Sequence, residues 1–337
     1  MRGIRPELGA GHRPVKAVRV GVVGVGHLGT HHARAWSRIE GVALAGAYDP
    51  DPGARGRTAG EPALKFFDSF EALLDQVDLV SIAAPTPAHA DLAIESLGRG
   101  VHVLVEKPIA AHPEQGERML QAARHAERVL SVGHVERHNP AVAAALPHLR
   151  SPKFIEAHRL APPVNRGIDV DVVLDLMIHD LDLTLLATRS RIVEVHAVGV
   201  PVLTPRIDIA NARLVLESGC VANLTASRIS REKVRKIRFF ESSEYLSIDC
   251  LNRTIEAYSL APASAGAEAG DWMRRIRPLA IRVTESDPLE SELRHVLSLL
   301  AEPARSWAES ETALDALRAA DLIGRQIAPI LPQGIPV

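Results

Sequence analysis

The stretch Val18 to His32, VRVGVVGVGHLGTHH, constrains the fold more than any other part of this 337-residue chain. Val18, Val20, Val22 and Val23 make the apolar run of a buried strand. Gly24, Gly26 and Gly29 follow at the spacing G-x-G-x-x-G, before a helical run through Ala33, Ala35 and Trp36. Strand, tight turn and helix in that order build a phosphate cradle. The first glycine permits the turn, the second lets a pyrophosphate approach the backbone, and the third lets helix and strand pack closely. Free N–H groups at the helix start, around His27 and Leu28, and the positive end of the helix dipole then face the phosphates. A second strand, Val42 to Tyr48, ends in Asp49, 20 residues beyond Gly29. A carboxylate there accepts ribose hydroxyls and repels a 2'-phosphate, which predicts a dinucleotide site preferring NAD. Arg55 and Arg57, in the turn-rich passage after Asp49, read as solvated loop charges.

The rest of the chain repeats the pattern and then abandons it. Asp68 and Glu71 have the spacing of a capping box that opens a short helix through Leu74. Val77 to Ala84 is a compact apolar strand stopped by Pro85-Thr86-Pro87, a turn at the strand's carboxyl end, where doubly wound sheets bind ligands. A helix from Ala88 to Leu97, a strand from Val101 to Val105, a helix from Glu114 to His125 and a strand from Val129 to Val132 follow. Strand and helix alternate over about 115 residues, the pattern of a parallel sheet covered on both faces. From Lys153 the elements become short strands: Lys153 to Arg159, Ile192 to Val200, Ala210 to Glu217, Cys220 to Ser227, Val234 to Phe240 and Tyr245 to Asp249. A helix, Val172 to Ala187, interrupts them, and Glu217-Ser218-Gly219 has the composition of a hairpin turn. The expected fold is α/β: an N-terminal doubly wound parallel sheet with a C-terminal α+β domain on an open, largely antiparallel sheet. The divisions are a flexible lead-in at 1–16, a dinucleotide-binding domain at 17–134, a substrate domain at 135–305, and a C-terminal helix and tail at 306–337. The low-complexity passage APASAGAEAGDWM reads as an insertion.

Composition narrows the function. With 39 Lys and Arg against 41 Asp and Glu, the chain is not built to bind nucleic acid by bulk charge. Its two cysteines, Cys220 and Cys250, have no CxxC spacing and no histidine cluster, so neither a metal site nor a disulfide framework is expected. No run of about 18 apolar residues is present to span a bilayer, and no apolar segment follows Arg2 and Arg5 to make a signal peptide. A soluble, cytoplasmic protein acting on a small molecule is expected.

Two places carry candidate chemistry. Lys107 follows a strand end on the same side of the sheet as the glycine turn. In VVLDLMIHDLDLTLLA, Asp175, His179 and Asp182 fall at i, i+4 and i+7, along one face of an otherwise apolar helix. A buried carboxylate and imidazole need partners, and a cavity holding a polar ligand would supply them.

These residues resemble the Gfo/Idh/MocA family of NAD(P)-dependent oxidoreductases. The resemblance rests on GVGHLG at Gly24 to Gly29, on the block APTPAHADLAIESLGRGVHVLVEKP ending at Pro108, and on the Asp175 to His179 pair. It implies a Rossmann domain followed by an α/β domain on an open mixed sheet, through whose exposed face the family commonly oligomerises. It places Lys107 and His179 at the catalytic lysine and histidine, Asp175 at their supporting acid, and Pro85, Thr86, His89 and Glu106 with the glycines and Asp49 around the cofactor. The implied reaction moves a hydride between a sugar secondary alcohol and the nicotinamide. Either His179 or Lys107 is the base that takes the hydroxyl proton. The runs Asp169 to Asp182 and Gly199 to Arg228 resemble a subgroup associated with lipid A biosynthesis that oxidises UDP-N-acetylglucosamine at C3. A nucleotide sugar needs cations for its pyrophosphate, and Arg159, Arg166 and Arg228 are the candidates. Polyols such as inositols are the alternative substrates, and an NAD and sugar sensor without turnover the alternative class.

Overall fold

The computed structural model describes residues 17–57, 64–163, 170–262 and 271–327. The 1–16 lead-in, Arg166 and most of the low-complexity passage lie outside them.

The first sheet is made of β1 (Val18–Val23), β2 (Val42–Tyr48), β3 (Leu79–Ile82), β4 (His102–Glu106) and β5 (Leu130–Gly133), in the order β2-β1-β3-β4-β5 with every pairing parallel. Helices α1 (His27–Trp36), α2 (Pro52–Arg57), α3 (Phe70–Leu74), α4 (His89–Gly98) and α5 (Pro113–Ala126) connect these strands. All four residues of β3 are buried, because helices cover both faces of a parallel sheet and leave no side for water. Short helices start where a side chain satisfies free N–H groups. α3 is capped by Ser69, whose hydroxyl accepts from Ala72 N, and not by Asp68 one residue earlier. α5 begins with His112, Pro113 and the reciprocal Gln115 contact to the His112 backbone.

The second sheet has eight strands. They are β6 (Phe154–Leu160), β7 (Ile192–Val200), β8 (Ile209–Leu216), β9 (Val221–Ser227), β10 (Val234–Phe240), β11 (Glu244–Asp249), β12 (Thr254–Leu260) and β13 (Ile276–Pro278). Their order is β13-β12-β11-β10-β6-β9-β8-β7, antiparallel except for β6 with β9. Burial alternates strictly along β6, which is the signature of a sheet with one covered and one open face. The hairpin of β8 and β9 turns at Gly219, whose φ of +79° favours glycine. The last two strands, β12 and the edge strand β13, are not evident from sequence, since β12 keeps only Ala257 buried.

α6 (Pro140–Ala145) lies before β6, and α7 (Ile178–Thr188) lies on the covered face behind a π-turn at Val173–Met177. Two C-terminal helices close the molecule. α8 (Pro288–Leu299) is capped by Asp287 and falls within the 135–305 span, yet it returns to the first sheet. Its Leu293 and Val296 share a core with Val20, Trp36 and Leu104. α9 (Pro303–Ile327) packs Leu314 and Leu317 into the first core and Ala320 and Ile323 into the second, so one helix bolts the two sheets together. Among the described residues, no helix is long and apolar enough to cross a membrane.

Candidate active site

The glycine turn at the end of β1 is built by close packing. At Gly24, where φ is +82°, a Cβ would lie 2.8 Å from the Ala83 carbonyl oxygen and the Ala84 nitrogen, so the turn rests on the β3 exit. A Cβ on Gly29 would lie 1.8 Å from the Gly24 carbonyl oxygen, so α1 rests on the turn. At Gly26 a Cβ would meet nothing within 4 Å. That open space, beside exposed His27 and Leu28 at the start of a helix with no side-chain cap, fits the phosphates of a dinucleotide. Asp49 braces the same turn: its Oδ2 accepts from Val25 N at 2.8 Å and its Oδ1 from Asp51 N at 2.9 Å. A carboxylate at this position, with about four acceptor positions, suits ribose hydroxyls.

Pro85 and Thr86 sit at the β3 exit, at the cradle's rim. Two other residues expected at the cofactor turn inward. His89 is buried, with Nδ1 3.0 Å from the Pro108 carbonyl oxygen and Nε2 2.9 Å from the Ala84 carbonyl oxygen. It ties the β3 exit to the β4 exit and has no ring nitrogen left for a ligand. Glu106 is also buried. Its Oε1 meets His32 Nε2 at 2.8 Å, its Oε2 accepts from Lys107 N at 3.2 Å, and His32 Nδ1 is 2.6 Å from Ser81 Oγ. Burial pushes the Glu106 carboxyl up, but the His32 hydrogen bond and the charges of His32 and Lys107 outweigh it and hold it below the usual range. Ser81, His32 and Glu106 thus form a polar rod beneath the cradle, a feature with no marker in the sequence.

Lys107, joined to Pro108 by a cis peptide, reaches from the first sheet to the second. Its Nζ donates to the Asp175 carbonyl oxygen at 2.8 Å and lies 3.4 Å from Asp175 Oδ1. The resemblance makes Asp175 the supporting acid of both Lys107 and His179. Its carboxylate pairs with Lys107 and not with His179, because the π-turn at Val173–Met177 breaks the α-helical register between Asp175 and His179. His179 is left with a buried Nδ1 that has no hydrogen-bond partner. Burial, then the positive charges of Lys107 and Arg159, hold its pKa well below the ordinary histidine value. His179 is therefore a neutral imidazole at pH 7.

The expected pyrophosphate cations are otherwise engaged. Arg159 is buried, donating to Asp180 at 2.8 and 3.1 Å and to Glu136 at 2.9 Å. Arg228 is buried as well, donating to the Val170 and Ile207 carbonyl oxygens and lying 3.0 Å from Asp208 Oδ1. Both are buried and held by protein partners. Asp182 belongs to the same frame, receiving Arg137 Nε at 2.8 Å with His134 Nδ1 3.6 Å away. His134, Arg137 and Glu136 come from the short segment after β5, where isolated polar residues give no periodic signal.

A dinucleotide cradle facing a lysine, a carboxylate and a neutral histidine defines an oxidoreductase. Residues 18–134 match the model of the Gfo/Idh/MocA family, described as an oxidoreductase family with an NAD-binding Rossmann fold. The chain is 39% identical over 289 residues to UDP-N-acetylglucosamine 3-dehydrogenase of Acidithiobacillus ferrooxidans, covering 84% of this chain and 89% of that protein. A solved structure of that enzyme superposes with a TM-score of 0.84 at 36% identity, over 93% of this chain and 98% of the other. scyllo-Inositol 2-dehydrogenase of Bacillus subtilis is 26% identical over 238 residues, covering 63% of this chain and 68% of its own. Lactobacillus casei scyllo-inositol dehydrogenase with NAD(H) shares the fold at a TM-score of 0.70, with 21% identity, over 94% and 98% of the two chains. The chain belongs to the Gfo/Idh/MocA family of oxidoreductases, and its cofactor is NAD.

Proposed function

We propose that this dehydrogenase oxidises a secondary hydroxyl of a nucleotide sugar, C3 of UDP-N-acetylglucosamine, within lipid A precursor synthesis in the cytoplasm. The observation that carries the chemistry is the Lys107 ammonium held by Asp175, with the buried, unpartnered His179 one turn further along the same segment. Bound NAD supplies the hydride acceptor. His179 takes the hydroxyl proton, for which an uncharged nitrogen is required. Lys107 donates a hydrogen bond to the same oxygen and favours its developing negative charge. Asp175 fixes the ammonium group, so the two roles that the sequence leaves open divide between the residues.

Substrate choice is supported by the 39% identity over most of both chains. With Arg159 and Arg228 engaged, the cation best placed for a sugar pyrophosphate is Arg235. Its side chain is 40% exposed, it pairs with Glu136 at 3.5 Å, and its charge is felt at His179. Incubation with NAD, UDP-N-acetylglucosamine and a panel of polyols, following NADH with a keto-trapping reagent or an aminotransferase present, tests the reading. NADH from UDP-N-acetylglucosamine supports it; turnover of polyols alone overturns it, and binding of NAD and sugar with no NADH from any member marks a sensor. NAD should bind more tightly than NADP through Asp49, and equal affinities would remove that role.

We also propose self-association through the open face of the second sheet. Phe154, Phe240, Tyr245 and Tyr258 form one row across β6, β10, β11 and β12, with ring centroids 5.5, 5.1 and 6.4 Å apart in sequence. Tyr258 is 42% exposed. Sedimentation of the protein and of Tyr258→Glu checks this: a monomer at all concentrations refutes it.

A further inference from the structure

One buried group near the site has no role in this scheme. His134 leaves the end of β5, is shut off from solvent, and has no hydrogen-bond partner at either ring nitrogen. Its Nδ1 lies 3.6 Å from Asp182 Oδ2, and the Asp182 carboxylate is itself pinned by Arg137. The Asp182 charge nearest Nδ1 favours the tautomer with its proton on that nitrogen, which leaves Nε2 as a bare acceptor. His134 meets His179 edge to face, with centroids 6.4 Å apart and planes at 87°. For His179 to act as a base through Nε2, its single proton must sit on Nδ1, the atom that is buried without a partner. A buried orphan donor and a buried orphan acceptor on neighbouring rings are each costly, and pairing them removes both costs. The two rings also come from different parts of the fold: His134 from the first sheet, His179 and Asp182 from α7.

We propose that His134 is a positioning residue for His179: in the complex with cofactor and substrate, His134 Nε2 accepts the His179 Nδ1 proton and locks the tautomer that leaves Nε2 free. Catalytic hydrogen bonds are often long before ligands bind and tighten in the loaded complex. No proton is transferred to His134. The bond orients His179, and the Asp182 charge behind His134 stabilises His179 once it has become cationic. The charged and titratable groups acting on the two rings are Asp182, Arg137, Lys107 and Glu106 around His134, and Lys107, Arg159 and Arg235 around His179. Burial, with Arg137 and Lys107, brings His134 down to about 4 against the pull of Asp182 and Glu106, so it stays an acceptor throughout the working pH range.

The inference rests on His179 being the base, so its test includes a measurement that needs no turnover. His134→Leu removes the acceptor and His134→Asn restores one; His134→Ala replaces the leucine variant if that does not fold. In nitrogen-15 spectra of the complex with NADH, wild type should show His179 protonated at Nδ1, the leucine variant a mixture of tautomers, and the asparagine variant the wild-type pattern. In turnover, the leucine variant should lose about 10–100-fold in kcat, less than the 100–10,000-fold of losing the base itself, with KM nearly unchanged and the acid limb of the pH profile moved. The asparagine variant should recover most of the loss. Identical His179 tautomers in wild type and leucine variant overturn the proposal. So do an unchanged kcat and pH profile. If UDP-N-acetylglucosamine is not turned over at all, the substrate reading fails while the spectra still decide the role of His134.

Discussion

At the mouth of the first sheet the site is made of backbone, whereas around α7 it is made of side chains drawn from distant segments. Gly24, Gly26 and Gly29 act through the absence of a Cβ, and their spacing along one short stretch, with the β3 exit against Gly24, sets the requirement. Lys107, Asp175, His179, His134 and Asp182 act through charge and proton placement, and each depends on a partner from another element. A backbone site is therefore hard to alter without moving the chain. A side-chain site is retuned by single neighbours.

The largest effects should fall on the side-chain half. Lys107→Ala and His179→Ala should each lower kcat by about 100–10,000-fold while NAD affinity, followed by fluorescence quenching, stays near wild type. A variant that keeps full activity loses its assigned role. Next comes Arg159, which sequence places among phosphate ligands and the fold places between Asp180 and Glu136. Arg159→Ala strands two buried carboxylates and should cost about 3–5 kcal/mol in urea unfolding. A raised KM for the nucleotide sugar with unchanged stability would return Arg159 to the substrate.

The glycines sharpen the same contrast. Gly29→Ala forces a methyl onto the Gly24 carbonyl and should cost about 1–3 kcal/mol of stability. Gly26→Ala enters open space, so stability should hold within about 0.5 kcal/mol while NAD affinity falls. Equal losses of stability in both would deny Gly26 its place in the cradle. The smallest effect concerns Glu292 on α8, buried with neither carboxyl oxygen bonded among the described residues. Burial, then the Glu106 charge, raise its pKa well above 4.5, with Arg137 opposing. The folded state keeps this proton where the unfolded chain loses it, so stability declines as pH rises above about 4.5. Glu292→Gln should therefore raise Tm more at pH 8 than at pH 4.5, and an equal change at both pH values would show that Glu292 is not a buried acid of raised pKa.

Much of the first sheet was legible because its code is local. A strand, three glycines, a helix and an acid lie within 32 residues, Val18 to Asp49, and the EKP turn repeats the strand-to-loop signal at Glu106. α8 was missed because its buried face includes a glutamate, Glu292, and β12 because it buries so little. Lys107, Asp175 and His179 were found at their positions, but not their pairing. A helical wheel joins Asp175 to His179, and only the π-turn and the reach of Lys107 across from β4 join Asp175 to the lysine.

By itself the amino-acid sequence determined the dinucleotide cradle, the alternation that builds the parallel sheet and the residue types available for hydride-transfer chemistry, because each depends on neighbours within a turn or two. Only the tertiary structure decided that Arg159 and Arg228 are buried and held by protein partners, that His89 and Glu106 turn inward, and that His134 and Asp182 stand behind His179. Whether a buried charge is a ligand or a brace depends on which opposite charge reaches it, and those partners come together only when the two sheets close on each other.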